Sequence, residues 1–281
     1  MIVGCLGYGY IASFLFKELS ANGIKCLGVT NKKEILESPL TEGVSILPRK
    51  MTKEVINSST HLIITAPPRK SICPILSKYN TIIKKANIRS IVYISTTGVY
   101  GNHNGKWVSE KSHYEGKMNK LIKNRIGAEK AWVKFAKKLF ITLNVLRLGG
   151  IYGPERPKLD RKLYENILTK KNHFFSRIHV FDISRLIVKI LCNISTSGNW
   201  NIVDKQPSTR EEFILRIIEL KNIKTYNFID YKENKVLLTE ARKRFWEANK
   251  KVSSKKAIEE LHYSYLFPSY VSGLKHIVKN S

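Results

Sequence analysis

Two runs in this chain carry residue types and spacings that could do chemistry. Gly7-Tyr8-Gly9-Tyr10-Ile11-Ala12 comes first, and Ser95-Thr96-Thr97-Gly98-Val99-Tyr100-Gly101 follows about ninety residues downstream. The first lies between an apolar stretch, Ile2 to Leu6, and a segment in which Ile11, Phe14, Leu15 and Leu19 recur at helical spacing up to Gly23. A strand, a glycine turn and a helix in that order aim the helix amino terminus, with Tyr10 and Ile11 in its first turn, at an anion such as a pyrophosphate. Gly7 then permits the tight turn and Gly9 lets the backbone approach the anion. Ala12 stands where a third glycine would let helix and strand pack closely. Taken alone, the same motif also describes a glycine turn in another α/β fold. The second run offers hydroxyls at a strand end, which can bind a substrate oxygen or simply terminate the strand.

The elements that must position these runs are legible as an alternation. Ile24 to Val29, His61 to Ala66 and Ser90 to Ser95 read as further strands with helical stretches between several of them, as a doubly wound parallel sheet requires. Beyond the second strand, a cofactor with a free ribose 2′-hydroxyl would usually meet Asp or Glu, whereas this chain has Thr30-Asn31-Lys32-Lys33. With Asn31 beside it, Lys32 or Lys33 could pair with a ribose 2′-phosphate, which favours NADP and leaves NAD as the alternative; two solvated lysines are the competing reading. Thr65-Ala66-Pro67-Pro68 follows a buried strand as a rigid exit.

In this order and at this separation, the two runs resemble the extended branch of the short-chain dehydrogenase/reductase superfamily, and most closely its atypical, NAD-dependent epimerase/dehydratase-like members. Val145-Leu146-Arg147-Leu148-Gly149-Gly150-Ile151-Tyr152-Gly153-Pro154 is similar to that family's strand into the substrate region, and Arg177-Ile178-His179-Val180-Phe181-Asp182-Ile183 to its return to the sheet. The resemblance implies a Rossmann-type α/β fold, with a nucleotide-binding core over 1–155 and a smaller substrate lobe over 156–281, of which about 176–205 returns to the core. It implies a dinucleotide along Gly7, Gly9, Tyr10, Ile11, Asn31 and Lys32, with Thr65 and Pro67 beside its adenosine half. It also implies a homodimer.

The chemistry of that superfamily uses a tyrosine to move a proton, a lysine four residues later, and a Ser or Thr that binds the substrate oxygen. Thr96, four residues before Tyr100, matches the Ser/Thr position, with Thr97 the second choice. The family pattern places a glutamate eight residues after the tyrosine. Counting back from Glu129 in Arg125-Ile126-Gly127-Ala128-Glu129 puts Leu121 at the tyrosine position and Arg125 at the lysine position. Leucine moves no proton, and arginine can hold a ribose or phosphate but stays charged. Tyr114 is the obvious substitute, yet Met118 stands four residues later and Lys117 three, so it reads as a loop or helix-entry aromatic. Tyr100 and Tyr152 could face a crevice or pack.

At the substrate end, Leu163 to Leu168 reads as a short helix, and the insertion is short for enclosing a nucleotide sugar, which favours a smaller ligand. Arg156, Arg161 and Arg177 could attract an anionic substrate, with His179 nearby; for Arg177, ligand contact and buried pairing are balanced. Asp182 reads as a helix cap. Asn199 to Val203 reads as a strand, Ser208-Thr209 opens a helix through Leu220, and Pro268 to Ile277 resembles the family's terminal helix. Phe245, Trp246, Tyr263, Tyr265 and Phe267 read as packing anchors rather than a base-stacking platform.

Composition narrows the setting. The 281 residues, 43% hydrophobic, suit one large α/β unit or a nucleotide-binding unit with a small companion. A net charge of +27 invites nucleic acid, but lysines outnumber arginines 36 to 13 and are dispersed, without a recognised binding module. No apolar run is long enough to span a bilayer, and the apolar start lacks a basic leader region. Cys5, Cys26, Cys73 and Cys192 show neither paired spacing nor clustering with histidines, which speaks against a metal site and for a reducing, cytoplasmic setting. The expectation is an NAD(P)-binding oxidoreductase or epimerase/dehydratase-like enzyme acting on a small oxygenated metabolite. The alternative is a dinucleotide-binding sensor or scaffold without hydride chemistry.

Overall fold

The structure is a computed structural model that describes residues 1–37, 42–69, 72–115, 119–159, 164–193 and 195–280. Its strands in chain order are β1 (Ile2–Leu6), β2 (Lys25–Thr30), β3 (Val44–Pro48), β4 (His61–Ile64), β5 (Ser90–Thr96), β6 (Trp107–Val108) and β7 (Thr142–Leu148). They continue with β8 (Gly150–Tyr152), β9 (Ile167–Thr169), β10 (Arg177–His179), β11 (Gly198–Ile202), β12 (Phe228–Asp230) and β13 (Lys251–Val252). The helices are α1 (Tyr10–Ala21), α2 (Lys33–Leu36), α3 (Thr52–Ser58), α4 (Pro74–Lys85), α5 (Lys120–Leu139) and α6 (Val180–Cys192). After them come α7 (Arg210–Lys221), α8 (Tyr231–Asn234), α9 (Glu240–Glu247), α10 (Lys255–Glu260) and α11 (Tyr270–Lys279).

The chain divides into two compact units that are interleaved in sequence. The first comprises Met1–Thr96, Asn119–Arg147 and Ile183–Trp200, and the second Thr97–Met118, Leu148–Asp182 and Asn201–Ser281. The sequence reading has a core over 1–155 and a smaller lobe over 156–281, of which about 176–205 returns to the core.

In the first unit the sheet runs in the order β11-β7-β5-β4-β1-β2-β3, and its strands from β3 to β5 pair in parallel. Parallel strands are covered on both faces, which is why Val3, Cys5, Leu6, Ile63, Ile64, Ile91 and Val92 are apolar without alternation and fully buried. Helix α1 buries Ala12, Leu15, Phe16 and Leu19, the stripe that its spacing predicts. It ends at Asn22, followed by Gly23 at φ +68°. Helix α5 starts where the Asn119 side chain accepts from the Ile122 amide at 3.1 Å, and it lays Ala128, Trp132 and Ala136 into the core with Tyr93, Ile91 and Val145.

One buried ion pair sets the height of α5 against the sheet. Glu129 accepts from Arg147 of β7, with Nη2 to Oε2 at 2.8 Å and Nε at 3.3 Å from both oxygens, and from the Ser95 hydroxyl of β5.

The second unit holds a core of Tyr152, Ile167, Phe213, Ile214, Ile217, Tyr270, Leu274 and Ile277. Helix α7 opens on a reciprocal capping box between Thr209 and Glu212, as the Ser208-Thr209 reading expects, and α11 opens on the equivalent pair Ser269 and Ser272. Three short parallel pairs complete the unit: β8 with β10, β9 with β12 and β6 with β13. The helix expected over Leu163 to Leu168 is corrected here, because Ile167–Thr169 is a strand held by Phe228–Asp230, a partner about sixty residues away. Leu163 itself and Arg161 lie outside the described residues. No helix among the described residues is long and apolar enough to cross a membrane.

Removing Glu129 would leave the Arg147 guanidinium buried without its carboxylate, so Glu129→Ala is expected to cost about 3–5 kcal/mol in denaturant unfolding. Glu259→Ala, which breaks an exposed pair with Lys255 on α10, should stay within about 0.5 kcal/mol of the parent.

Candidate functional site

The carboxyl ends of four adjacent parallel strands carry most of the residues singled out in the sequence. Leu6 is in register with Val29 on one side and Ile64 on the other, and Ile64 with Tyr93. Gly7, Thr30 and Thr65 therefore leave the sheet at one level, and β5 runs on to Thr96. The chain winds β1, β2, β3 to one side and then returns to place β4 on the other side of β1. A doubly wound sheet opens a crevice for ligands at that reversal.

Gly7 adopts φ +116°, and a Cβ there would meet the Thr65 hydroxyl at 2.5 Å and the Ala66 amide nitrogen at 3.2 Å. Thr65 donates to the Gly7 carbonyl and, at 3.4 Å, to that of Leu6, so β4 pins the glycine turn. The Tyr8 amide donates to the Val29 carbonyl at 2.8 Å, and its ring covers Gly28, where a Cβ would come within 2.8 Å of it. Gly9 differs from Gly7. It is the N-cap of α1 in extended backbone, its carbonyl accepts the Ser13 amide at 2.9 Å, and a Cβ would find nothing nearer than the Gly7 carbonyl at 4.0 Å. Helix α1 has no side-chain cap and no acidic residue in its first turn. This open cradle, with positive-end amides and no resident carboxylate, fits a pyrophosphate.

At the end of β2, Lys32 and Lys33 are exposed and make surface ion pairs with Glu34 at 3.8 Å and Glu37 at 3.6 Å. At the end of β5, Thr96 is half-buried next to Ser95, which Glu129 holds. Arg125 on α5 reaches the same strand, its Nη1 donating to the Ile94 carbonyl at 3.2 Å and the Tyr93 hydroxyl at 3.4 Å. Leu121, one turn earlier, is 57% exposed.

In the second unit the tyrosines have structural partners. Tyr100 donates to Asn201 Oδ1 at 2.6 Å, and Tyr152 to the Ser269 carbonyl at 3.3 Å. Tyr114 packs its ring against Gly101, and burial together with Glu247 raises its pKa, opposite to the shift that proton transfer near neutral pH needs. Arg177 takes the buried role of the two left open in the sequence. Nη1 donates to Ser208 Oγ at 2.6 Å and to the Phe175 and Ser208 carbonyls at 3.2 Å, Nη2 donates to the Thr209 carbonyl at 3.3 Å, and the guanidinium lies 4.3 Å from the Phe213 ring centre. Arg156 is exposed on a tight turn whose backbone it closes with Gly153. Asp182 accepts from the Tyr263 hydroxyl at 2.9 Å and from the Leu266 and Phe267 amides at 2.7 and 3.0 Å, a structural anchor.

No family model matches the chain, and no curated protein does. Among solved structures, a functionally unknown conserved protein from Silicibacter pomeroyi is 28% identical over 100% of this chain and 99% of its own, with a TM-score of 0.90. A human epimerase family protein, SDR39U1, solved with NADPH, is 17% identical over 100% of both chains with a TM-score of 0.74. A UDP-glucuronic acid 4-epimerase from Bacillus cereus, solved with NAD, is 17% identical over 100% of this chain and 97% of its own, with a TM-score of 0.77. The chain has the doubly wound α/β fold that these solved structures share.

Within that fold, several buried polar groups carry no motif and escape a reading of the sequence. Asp204 is 1% exposed: Oδ1 accepts from the Gln206 amide at 3.1 Å, while Oδ2 has no hydrogen-bond partner among the described residues. Burial pushes this carboxyl up to about 8 despite the nearby Arg177. A carboxyl raised in the folded state binds a proton that the unfolded chain has released, so its contribution is full below the ordinary carboxylate range and is lost as pH rises through about 8. Thermal melts of Asp204→Asn should therefore fall less steeply between about pH 6 and 9 than those of the parent.

Proposed function

We propose that the first unit binds a nicotinamide dinucleotide along the carboxyl edge of its sheet, and that the protein is an oxidoreductase or epimerase/dehydratase-like enzyme for a small oxygenated metabolite. The observation that carries this reading is the pinned glycine turn at the strand reversal, strained at Gly7 and open at Gly9. Gly7, Gly9, Tyr10 and Ile11 would hold the pyrophosphate, Asn31 and Lys32 the ribose end, Thr65 and Pro67 the adenosine side, and Arg125 the nicotinamide ribose or a phosphate. The bound group would supply hydride chemistry. Thr96 would hold a substrate oxygen, and Arg156 is the accessible arginine for an anionic substrate, since the Arg177 guanidinium is tied within its own unit. With leucine at position 121, the proton falls to another group or to water. A homodimer and a reducing, cytoplasmic setting, in keeping with four free cysteines, belong to the same reading. The competing reading, a sensor or scaffold that binds the dinucleotide without turnover, is favoured by the exposed Leu121.

Because nothing among the described residues obstructs a side chain at position 9, Gly9→Asp should fold like the parent and yet lose NADPH affinity by on the order of a hundredfold. Calorimetric titration checks this, and unchanged affinity in a folded variant would remove the assignment. The same titrations should show NADP bound more tightly than NAD, a preference that disappears when Lys32 and Lys33 are both alanine.

Turnover separates enzyme from sensor. Against a panel of carbonyl and hydroxyl substrates with NADPH or NADP, Thr96→Val is expected to lower kcat/KM by about tenfold or more while NADPH affinity holds. Binding without turnover across the panel would favour the sensor.

A further inference from the structure

Lysines are spread along the chain, but carboxylates are not. No Asp or Glu occurs between Glu54 and Glu110, and between Glu115 and Glu155 there is only Glu129, which Arg147 neutralises inside the protein. Helices α4 and α5 come from these two stretches. Ile75, Leu76 and Ile83 of the one and Ala128, Trp132 and Ala136 of the other enter a single core, and every lysine of both helices is exposed. On α5, Lys123, Lys130, Lys134 and Lys137 share the face turned away from that core. Other surface helices pair such charges one turn apart, as Lys33 does with Glu37 and Lys255 with Glu259. On α4 and α5 the exposed lysines have no acid to pair with on their own helix.

The two helices end side by side. α4 leads through Arg89 into β5 and α5 through Phe140 into β7, neighbours in the sheet, and the Thr142 amide donates to the Arg89 carbonyl at 3.1 Å. Exposed Lys84, Lys85, Arg89, Lys137 and Lys138 therefore gather at one edge of the first unit. Lysines in the last turn of a helix favour its carbonyl end, which accounts for their presence there but not for Phe140. That residue caps α5 in the left-handed region, at φ +54°, where glycine is usual and a bulky side chain is strained. Most other residues that take a positive φ without being glycine are Asn, which tolerates it: Asn104, Asn166, Asn172 and Asn222. The Phe140 side chain is also 96% exposed, so the fold gains almost nothing from its apolar surface.

A basic edge without carboxylates and a lone projecting aromatic are the two signals that hold a protein on a charged bilayer, since neither suffices by itself. We propose that this edge docks on an anionic lipid surface. The ammonium and guanidinium heads meet lipid phosphates and carboxylates, and the Phe140 ring enters the boundary between headgroups and acyl chains. Nucleic acid fits less well, because a single strand is gripped in a groove whose walls cover its bases, and a side chain 96% exposed has no such walls. A second copy also fits less well: a two-fold contact here would set the basic edge against itself. The glycine turn leaves the sheet at the opposite ends of the strands, so docking places lipid remote from it. The proposal therefore stands or falls apart from the dinucleotide reading.

The test is cosedimentation of the full chain with phosphatidylcholine vesicles and with equimolar phosphatidylcholine and phosphatidylserine vesicles. Binding is expected to the mixed vesicles alone, weakening as salt is raised. Lys137→Glu/Lys138→Glu should lower the affinity by on the order of a hundredfold. Phe140→Gly, which suits the left-handed backbone and leaves the charge intact, should lower it by on the order of tenfold. Lys275→Glu/Lys279→Glu makes the same charge change on exposed positions of α11 and should bind like the parent, which separates a docking edge from general attraction to a chain of net charge +27. Equal binding by the parent and either edge variant would overturn the proposal. So would an equal loss in the α11 variant, or the absence of parent binding to the mixed vesicles, a result that needs no variant to fold. In that last case, a mixed-sequence oligonucleotide bound by the parent and lost in both edge variants would give the edge to nucleic acid. A dimer in sedimentation equilibrium that is lost in both would give it to a second copy.

Discussion

The Glu129 carboxylate is the point from which the first unit takes its dimensions. It is enclosed between β5, β7 and α5, and it is held by one hydroxyl and by a guanidinium that meets it through two nitrogens. Such a pair gains little net free energy over a well-packed apolar substitute, but it tolerates few alternative geometries, so it specifies position more than it adds stability. Its hydroxyl partner immediately precedes Thr96, and the helix that supplies the carboxylate also supplies Arg125, one turn closer to its amino terminus. Small errors in helix height would therefore reach both residues assigned to the reaction end.

How much of this was legible in the chain varied with the range of the interactions involved. The glycine turn, β1 and α1 could be read because their signals are local: a continuous apolar run, two glycines and a stripe at helical spacing. The start of α7 was legible for the same reason, since Thr209 and Glu212 satisfy each other three residues apart. The paired strands of the second unit were not. Two or three residues have no measurable period, and Ile167–Thr169 becomes a strand only because Phe228–Asp230 lies beside it. The short helix that the sequence suggests over Leu163 to Leu168 gives way at Ile167 and Leu168 to pairing with a distant partner.

The site residues divide along the same line. That Leu121, Arg125 and Glu129 share one helix could be read by counting, because their spacing of four is a local signal. Arg177 could not be resolved, since its direction depends on a turn about thirty residues later and on the ring of Phe213. Asp204 offered no pattern at all. What sets it apart is the water it has lost, a property of the folded chain alone.

The two glycines of the first turn answer to different masters. The shape of the protein itself disfavours a side chain at position 7, through a left-handed φ and the hydroxyl of Thr65, whereas position 9 is crowded by nothing among the described residues. Natural variation at the two positions would accordingly record two separate histories. Substitution at 7 would speak of a turn rebuilt, while drift at 9 beside an unchanged 7 would mark a lineage that kept the architecture after its guest had gone.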